Sequence, residues 1–320
     1  MTARNMRSSL KEKVVYISPD GLVYNLHDTA LETLITMTGW GIPAVGKATT
    51  KGPFQHGVTP LTLRVPPRKI TMTIHNRSCD RDSYWQSRED LINVIRYNRG
   101  GLDSPEVGHL RWYRSDGQIR QLDVILAGGP EFTPLRNGWA EFSFQDVLVW
   151  EADNPIIYNP LINNQTFVGF ECTPIIGLQF GFVFGRTNIV FNGSYCSSLT
   201  DISVPYPGNW MEFPRIIVTG PGTNFSITHN ELGWTLELEN YTIAAGETIT
   251  FDLTYGKKTI TNNLGDSLLG YLSSNSEIGL FSIQPDPIVA NGINTFSVFI
   301  EDGTTDTNVL FNYNDRYIAI

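Results

Sequence analysis

The sequence predicts a mainly β protein of two domains: a β-rich first domain with one α-helix over residues 1–158, and an antiparallel β-sandwich over residues 159–320. Three observations predict it. Segments of the second half alternate with a period of two, in the sets Trp234/Leu236/Leu238, Ile249/Phe251/Leu253, Phe296/Val298/Ile300 and Val309/Phe311/Tyr313. That is the pattern of strands with one face in a core. Short runs of this kind follow one another between Gly, Asn and Pro turns, as in a sandwich. Only residues 80–98 carry apolar side chains at convincing helical spacing. A chain of 320 residues is long enough for two separate cores.

Taken in order, Val14-Val15-Tyr16-Ile17, Ser18-Pro19-Asp20-Gly21 and Leu22-Val23-Tyr24 read as strand, turn and strand. Proline presets φ at the second turn position and glycine suits the fourth. Gly39, Gly41, Pro43, Gly46, Gly52 and Pro53 make 38–60 a poor helix, leaving a long loop or an extended hairpin. In the helix, Asp80, Asp82 or Ser83 is the cap and Arg99-Gly100-Gly101 the stop. Trp85, Arg88, Ile92 and Ile95, joined by Tyr84 and Leu91, form its apolar stripe. Leu110-Arg111-Trp112-Tyr113-Arg114 meets 119–126 across Ser115-Asp116-Gly117-Gln118, an Asp-Gly hairpin signal. Over 139–150, Ala140, Phe142, Phe144, Leu148 and Trp150 share a face. Asn154-Pro155, backed by Pro160, closes the first domain, and strand-like runs resume at Phe167.

Composition narrows the function classes. Hydrophobic residues make up 41% of the chain and aromatics 12%, normal for a globular protein. The longest apolar stretch, 174–183, is broken by Gly177 and Gln179 and is too short to span a membrane. The basic start Met1-Thr2-Ala3-Arg4-Asn5-Met6-Arg7 has no apolar run behind it, so the expectation is cytoplasmic synthesis without a signal peptide. Cys79, Cys172 and Cys196 have no metal or redox spacing and are expected to be free, mostly buried thiols. The sequons at Asn76, Asn164, Asn192, Asn224 and Asn240 then read as turns rather than glycan acceptors. Residues 1–160 carry a net +1 and 161–320 a net −10, within a total of −9. Either the second half has an ordinary acidic surface or the two halves face different partners; neither has the basic excess of a nucleic-acid binder.

Catalytic signatures are not found. There is no Gly-x-Ser-x-Gly turn, and His27, His56, His75, His109 and His229 are scattered. Asp302, Asp306 and Asn308 could ligate calcium from a loop, against the plainer reading of a solvated acidic turn; Asp201 reads the same way. Glu237 and Glu239 lie opposite Leu236 and Leu238, as on a solvent face. The expectation is a protein that is not an enzyme, with no cofactor and no metal.

The last third runs through Phe213-Pro214-Arg215-Ile216-Ile217-Val218-Thr219-Gly220-Pro221, Ile227-Thr228-His229-Asn230, Trp234-Thr235-Leu236-Glu237-Leu238 and Ile243-Ala244-Ala245-Gly246-Glu247-Thr248. Tyr271-Leu272 and Asn291-Gly292-Ile293-Asn294-Thr295-Phe296 follow. In order and spacing this resembles the C-terminal domain of the distal tail proteins of long, non-contractile-tailed phages (siphoviruses). The first half adds Phe54-Gln55-His56-Gly57, Pro66-Pro67-Arg68-Lys69-Ile70, Arg88-Glu89-Asp90-Leu91-Ile92 and Asp153-Asn154-Pro155-Ile156-Ile157-Tyr158. The resemblance implies a galectin-like or carbohydrate-module-like second domain and a first domain that closes into a ring, usually a hexamer, in the virion tail tip or baseplate. It implies as partners further copies of the chain, the tail tube protein and the tail-associated hub protein. Host-adhesion machinery, such as a receptor-binding protein, often surrounds the ring, and DNA passes through its lumen without specific binding.

Two sets of candidate residues follow. For a subunit interface they are Trp40, Ile42, Val45 and Phe54, apolar side chains in a segment poorly able to bury them, with Arg64, Arg68, Arg77 and Arg81 around one strand. The alternatives are that the segment folds back on its own domain and that the arginines are a solvated face. For a carbohydrate-binding adhesion function, Tyr206, Trp210 and Tyr241 lie near turns where sugars could stack; otherwise they cap the sandwich core.

Overall fold

The computed structural model describes residues 12–27, 32–96, 106–132, 142–168, 197–304 and 306–320. The chain divides into two units, Met1–Pro160 with Arg316–Ile320, and Leu161–Asp315. Both are built on antiparallel sheets.

The first unit contains β1 (Lys13–Ile17), β2 (Val23–His27), β3 (Glu32–Thr38), β4 (Gly46–Thr50), β5 (Thr59–Arg64), β6 (Arg68–Arg77), α1 (Arg81–Ile95), β7 (Gly108–Tyr113), β8 (Ile119–Gly128), β9 (Ser143–Ala152) and β10 (Ile157–Tyr158). Its main sheet has the order β2-β1-β7-β8-β9-β6-β3. β8 pairs with β7 through Val124 and with β9 from Ile125, bulging between Leu126 and Gly128. A bulge bends the strand and increases its twist. The edge strands β2 and β3 are joined by only four residues, 28–31. A flat seven-strand sheet would hold its edges about 29 Å apart, whereas the five Cα steps of that link span at most about 19 Å. The sheet therefore curls.

One core joins Ile70, Met72, Phe144, Leu148 and Trp150 from the strands to Tyr84, Leu91, Val94 and Ile95 from α1. Asp80 caps the helix, its carboxylate accepting from the Ser83 N–H at 2.9 Å. The stripe that α1 buries overlaps the expected one at Tyr84, Leu91 and Ile95 and adds Val94. Tyr84, Leu91, Val94 and Ile95 are inside, while Trp85 and Ile92 are 48% and 45% exposed. The two faces lie about 100° apart on the helical wheel, and both are apolar enough to pass for the core face. The helix also ends at Ile95; its expected stop at 99–101 lies outside the described residues.

The second unit contains β11 (Asn163–Val168), β12 (Ser197–Pro205), β13 (Arg215–Thr219), β14 (Gly222–His229), β15 (Thr235–Glu237), β16 (Thr242–Ile243), β17 (Thr248–Asp252), β18 (Thr259–Asn262), β19 (Ile293–Glu301) and β20 (Asn308–Tyr313). One sheet runs β11-β20-β13-β17-β18, the other β12-β19-β14-β15 with β16 on β14. The period-two sets face inward: Phe251 and Phe311 from one sheet meet Phe225 and Phe296 from the other. Two sheets sharing one apolar core make a β-sandwich. The last strand, β21 (Arg316–Tyr317), leaves this unit and pairs with β10 of the first.

Several local expectations meet particular outcomes. Gly21 and Gly117 take left-handed backbone in the two predicted turns. Cys79 is exposed rather than buried, while Cys172 and Cys196 lie outside the described residues. Asn76, Asn164 and Asn224 sit in β6, β11 and β14 instead of turns. Asn192 lies outside the described residues, as does 174–183. Among the described residues no helix is long and apolar enough to cross a membrane.

Candidate assembly surface

The expected long segment is a hairpin arm whose two legs are pinned at the base. Gly39 starts it with φ +98°, and a Cβ there would lie 2.1 Å from the Lys69 carbonyl oxygen, so no larger residue fits. Trp40 follows and turns inward. It is 5% exposed and packs edge-on against Trp112 at 5.7 Å, which corrects its assignment to a subunit interface. Arg68, where the chain re-enters the sheet, is 3% exposed. Its guanidinium donates to the carbonyls of Gly39 and Gly41 at 3.1 and 3.0 Å and to that of Ile318 at 2.6 Å. Burial holds its pKa below the ordinary arginine value. Arg68 is thus a staple joining both legs of the arm to the C-terminal segment, not part of a basic face.

Beyond the staple the arm touches little. β4 and β5 pair only with each other, from Gly46↔Arg64 to Thr50↔Thr59, and every residue in them is exposed. The tip is an ordered turn: the Gln55 side-chain oxygen accepts from the Gly52 N–H at 3.0 Å, and its amide donates to Thr59 Oγ1 at 2.7 Å. Phe54 stands 98% exposed there, Ile42 75% and Val45 48%. The sequence reading stopped at Pro60 and so missed Leu61 and Leu63 on the returning strand, 63% and 69% exposed. Their alternation before Pro66-Pro67 was the available signal. An isolated two-stranded ribbon is marginal in water, and a run of outward apolar side chains marks an interaction surface.

The arginines do not gather into one patch. Arg64 and Arg68 lie at one end of β6 and Arg77 and Arg81 at the other, about 30 Å apart for a strand of this length. Arg64, Arg77 and Arg81 are exposed.

The sandwich aromatics are engaged locally. Tyr206 is 4% exposed, donates to the Trp210 carbonyl at 2.6 Å and packs near Tyr313, so it caps the core and is unavailable to a sugar. Trp210 is half-buried. Tyr241 is half-buried, donates to Glu247 and meets Tyr271 edge-on at 4.9 Å. Among the described residues no group of three His, Cys, Asp or Glu side chains could hold a metal. Asp201 accepts from Ser297.

Among solved structures, the Dit (gp 19.1) protein of phage SPP1 aligns over 93% of this chain and 98% of its own, with a TM-score of 0.58 at 10% identity. The chain has the fold of the SPP1 Dit protein. A chain of the phage P2 baseplate in its activated conformation with Ca aligns over 92% of this chain and 99% of its own, with a TM-score of 0.44 at 10% identity. No protein-family model and no curated protein matches the chain. SPP1 Dit is described as a paradigm of the hub adsorption apparatus in phages that infect Gram-positive bacteria. The likeness to Dit extends over almost the full length of both proteins, so it covers the curled first-unit sheet and the sandwich alike.

Proposed function

We propose that this chain is a structural distal-tail protein of a phage tail tip. In this reading it forms a ring, of six copies by resemblance, that joins the tail tube to the hub and host-adhesion apparatus. The observation that carries the reading is the stapled arm. A rigid base, an ordered tip and an uncovered apolar ribbon form a surface suited to a neighbouring subunit. The near-complete alignment with SPP1 Dit supports the same role. The arm supplies the reason for assembly: burying Phe54, Leu61 and Leu63 against another copy removes apolar surface from water at about 25 cal/mol per Å². A head-to-tail contact between unlike patches closes into a ring when the rotation between copies allows it. Negative-stain images of the purified chain test the reading: closed rings with a central opening are expected, and single particles at every concentration count against it.

A further inference from the structure

One sheet of the sandwich carries acids and no cation. Its strands β12, β19, β14, β15 and β16 contain Asp201, Glu237 and Glu301 and not one Lys or Arg. Register sets which side chains share its solvent face. Asp201, Ser297, Thr228 and Thr235 form one cross-strand row, and Phe299, Ser226 and Glu237 the next. Glu301 follows on β19, opposite Thr223. Beyond β15 the bridge between Leu238 and Leu272 sets Glu239 opposite Tyr271, whose carbonyl accepts from the Glu239 N–H at 2.8 Å. Asp201, Glu239 and Tyr271 are exposed, and Glu237, Phe299 and Glu301 are half-buried.

The described cations of this unit gather elsewhere. Arg215 pairs with Asp252 across β13 and β17 of the other sheet, and Lys257 and Lys258 lie in the turn after β17 within reach of the same carboxylate. Arg186 lies outside the described residues. The arm has the opposite character. No acidic residue occurs between Glu32 and Asp80, and the arm carries Lys47, Lys51 and Arg64, all exposed. Lys47 stands opposite Leu63 in the ribbon, so one side of the arm offers a cation beside an apolar side chain. Among the described residues neither these cations nor Glu237, Glu239 and Glu301 form an ion pair. A cationic apolar ribbon and an acidic sheet face bearing Tyr271 and Phe299 are therefore complementary. Size agrees. Strands of five and six residues make a ribbon about 17–20 Å long, and the face from β12 to residues 271–273 is about 19 Å across.

We infer that the arm of one copy lies across this acidic sheet of the next, its Lys47 and Leu63 side turned to Glu237, Glu239 and Tyr271. This rests on the ring reading and names its contact. The occupant of the sheet face is a second copy of this chain. The contact is heterologous, because donor and acceptor are different patches, and such contacts propagate around a ring.

The experiment reverses charge on each side in the full-length chain, with Lys47→Glu/Lys51→Glu on the arm and Glu237→Lys/Glu239→Lys on the sheet. Circular dichroism checks that both fold as the unaltered chain does. Light scattering is expected to show each variant alone as a monomer at concentrations at least tenfold above those at which the unaltered chain assembles. An equimolar mixture of the two is expected to assemble again, because each arm then meets a face of opposite charge. Glu89→Lys/Asp90→Lys makes the same change of net charge on α1 and is expected to assemble as the unaltered chain does. Rings formed by the sheet variant alone, or a mixture that stays monomeric, would overturn this contact and leave the ring reading standing. Loss of assembly in the α1 variant would also overturn it, by showing that net charge and not this face decides. An unaltered chain that stays monomeric would overturn both readings.

Discussion

Arg68 and Lys258 are two partly buried cations with opposite consequences. Arg68 is buried in company: three carbonyl oxygens accept hydrogen bonds from its N–H groups. Replacing it with methionine strips those acceptors of their donor, a loss on the order of 2–3 kcal/mol. Chemical denaturation of Arg68→Met is expected to show that loss, with protease cleavage of the loosened arm rising alongside it. Lys258 is buried with less help. Its ammonium sits over the Phe213 ring at 3.6 Å and has no hydrogen-bond partner. Burial pushes its pKa down to about 8, partly opposed by Asp252. Between that value and the 10.5 of an ordinary lysine, the unfolded chain binds a proton that the folded chain does not. Stability of the second unit therefore rises as pH climbs through that window and is lower below it. Lys258→Met is expected to raise the unfolding midpoint at pH 7 and to flatten the profile between pH 8 and 10. An unchanged profile would show that the amine titrates normally.

Among elements, the arm is the one whose removal is expected to separate folding from the proposed assembly. Its strands are exposed along their whole length, so replacing 45–65 with a short Gly-Ser turn is expected to leave the unfolding free energy within about 0.5 kcal/mol of the unaltered chain's. The same change is expected to abolish assembly, read as a monomeric mass. Sequence made several elements legible. The Asp80 cap, the Asp116-Gly117 turn and the inward sets on β17, β19 and β20 stand where local pattern puts them. Pattern placed Trp85 and Ile92 in one stripe with Tyr84, Leu91 and Ile95, because periodicity reports apolar spacing and not which surface covers it. It missed Arg68 for a related reason. An arginine among prolines reads as a surface charge, facing a neighbouring subunit or solvent, until the carbonyls that meet it, one from 250 residues away, are in place.

At the scale of the whole molecule, the two units are two designs. The second is a sandwich: its phenylalanines meet between two sheets and its turn-proximal Tyr206 is consumed in capping them, with Tyr255 and Leu264 left exposed on its surface. The first has a filled core but leaves an arm and a helix face uncovered. Nothing local in the sequence announces that Arg316–Ile320 returns to the first unit, where Ile318 accepts from the Arg68 staple. Truncating these five residues is expected to loosen the arm base as Arg68→Met does, and arm proteolysis compares the two directly. The proposed ring closes through the arm. The most direct measurement is light-scattering mass across a concentration series for the full chain and for the arm-deleted chain. A discrete closed species of several 35.8 kDa copies, six by resemblance, that disappears when the arm is removed is the predicted result. A concentration-independent monomer, or a ring that survives loss of the arm, would contradict it.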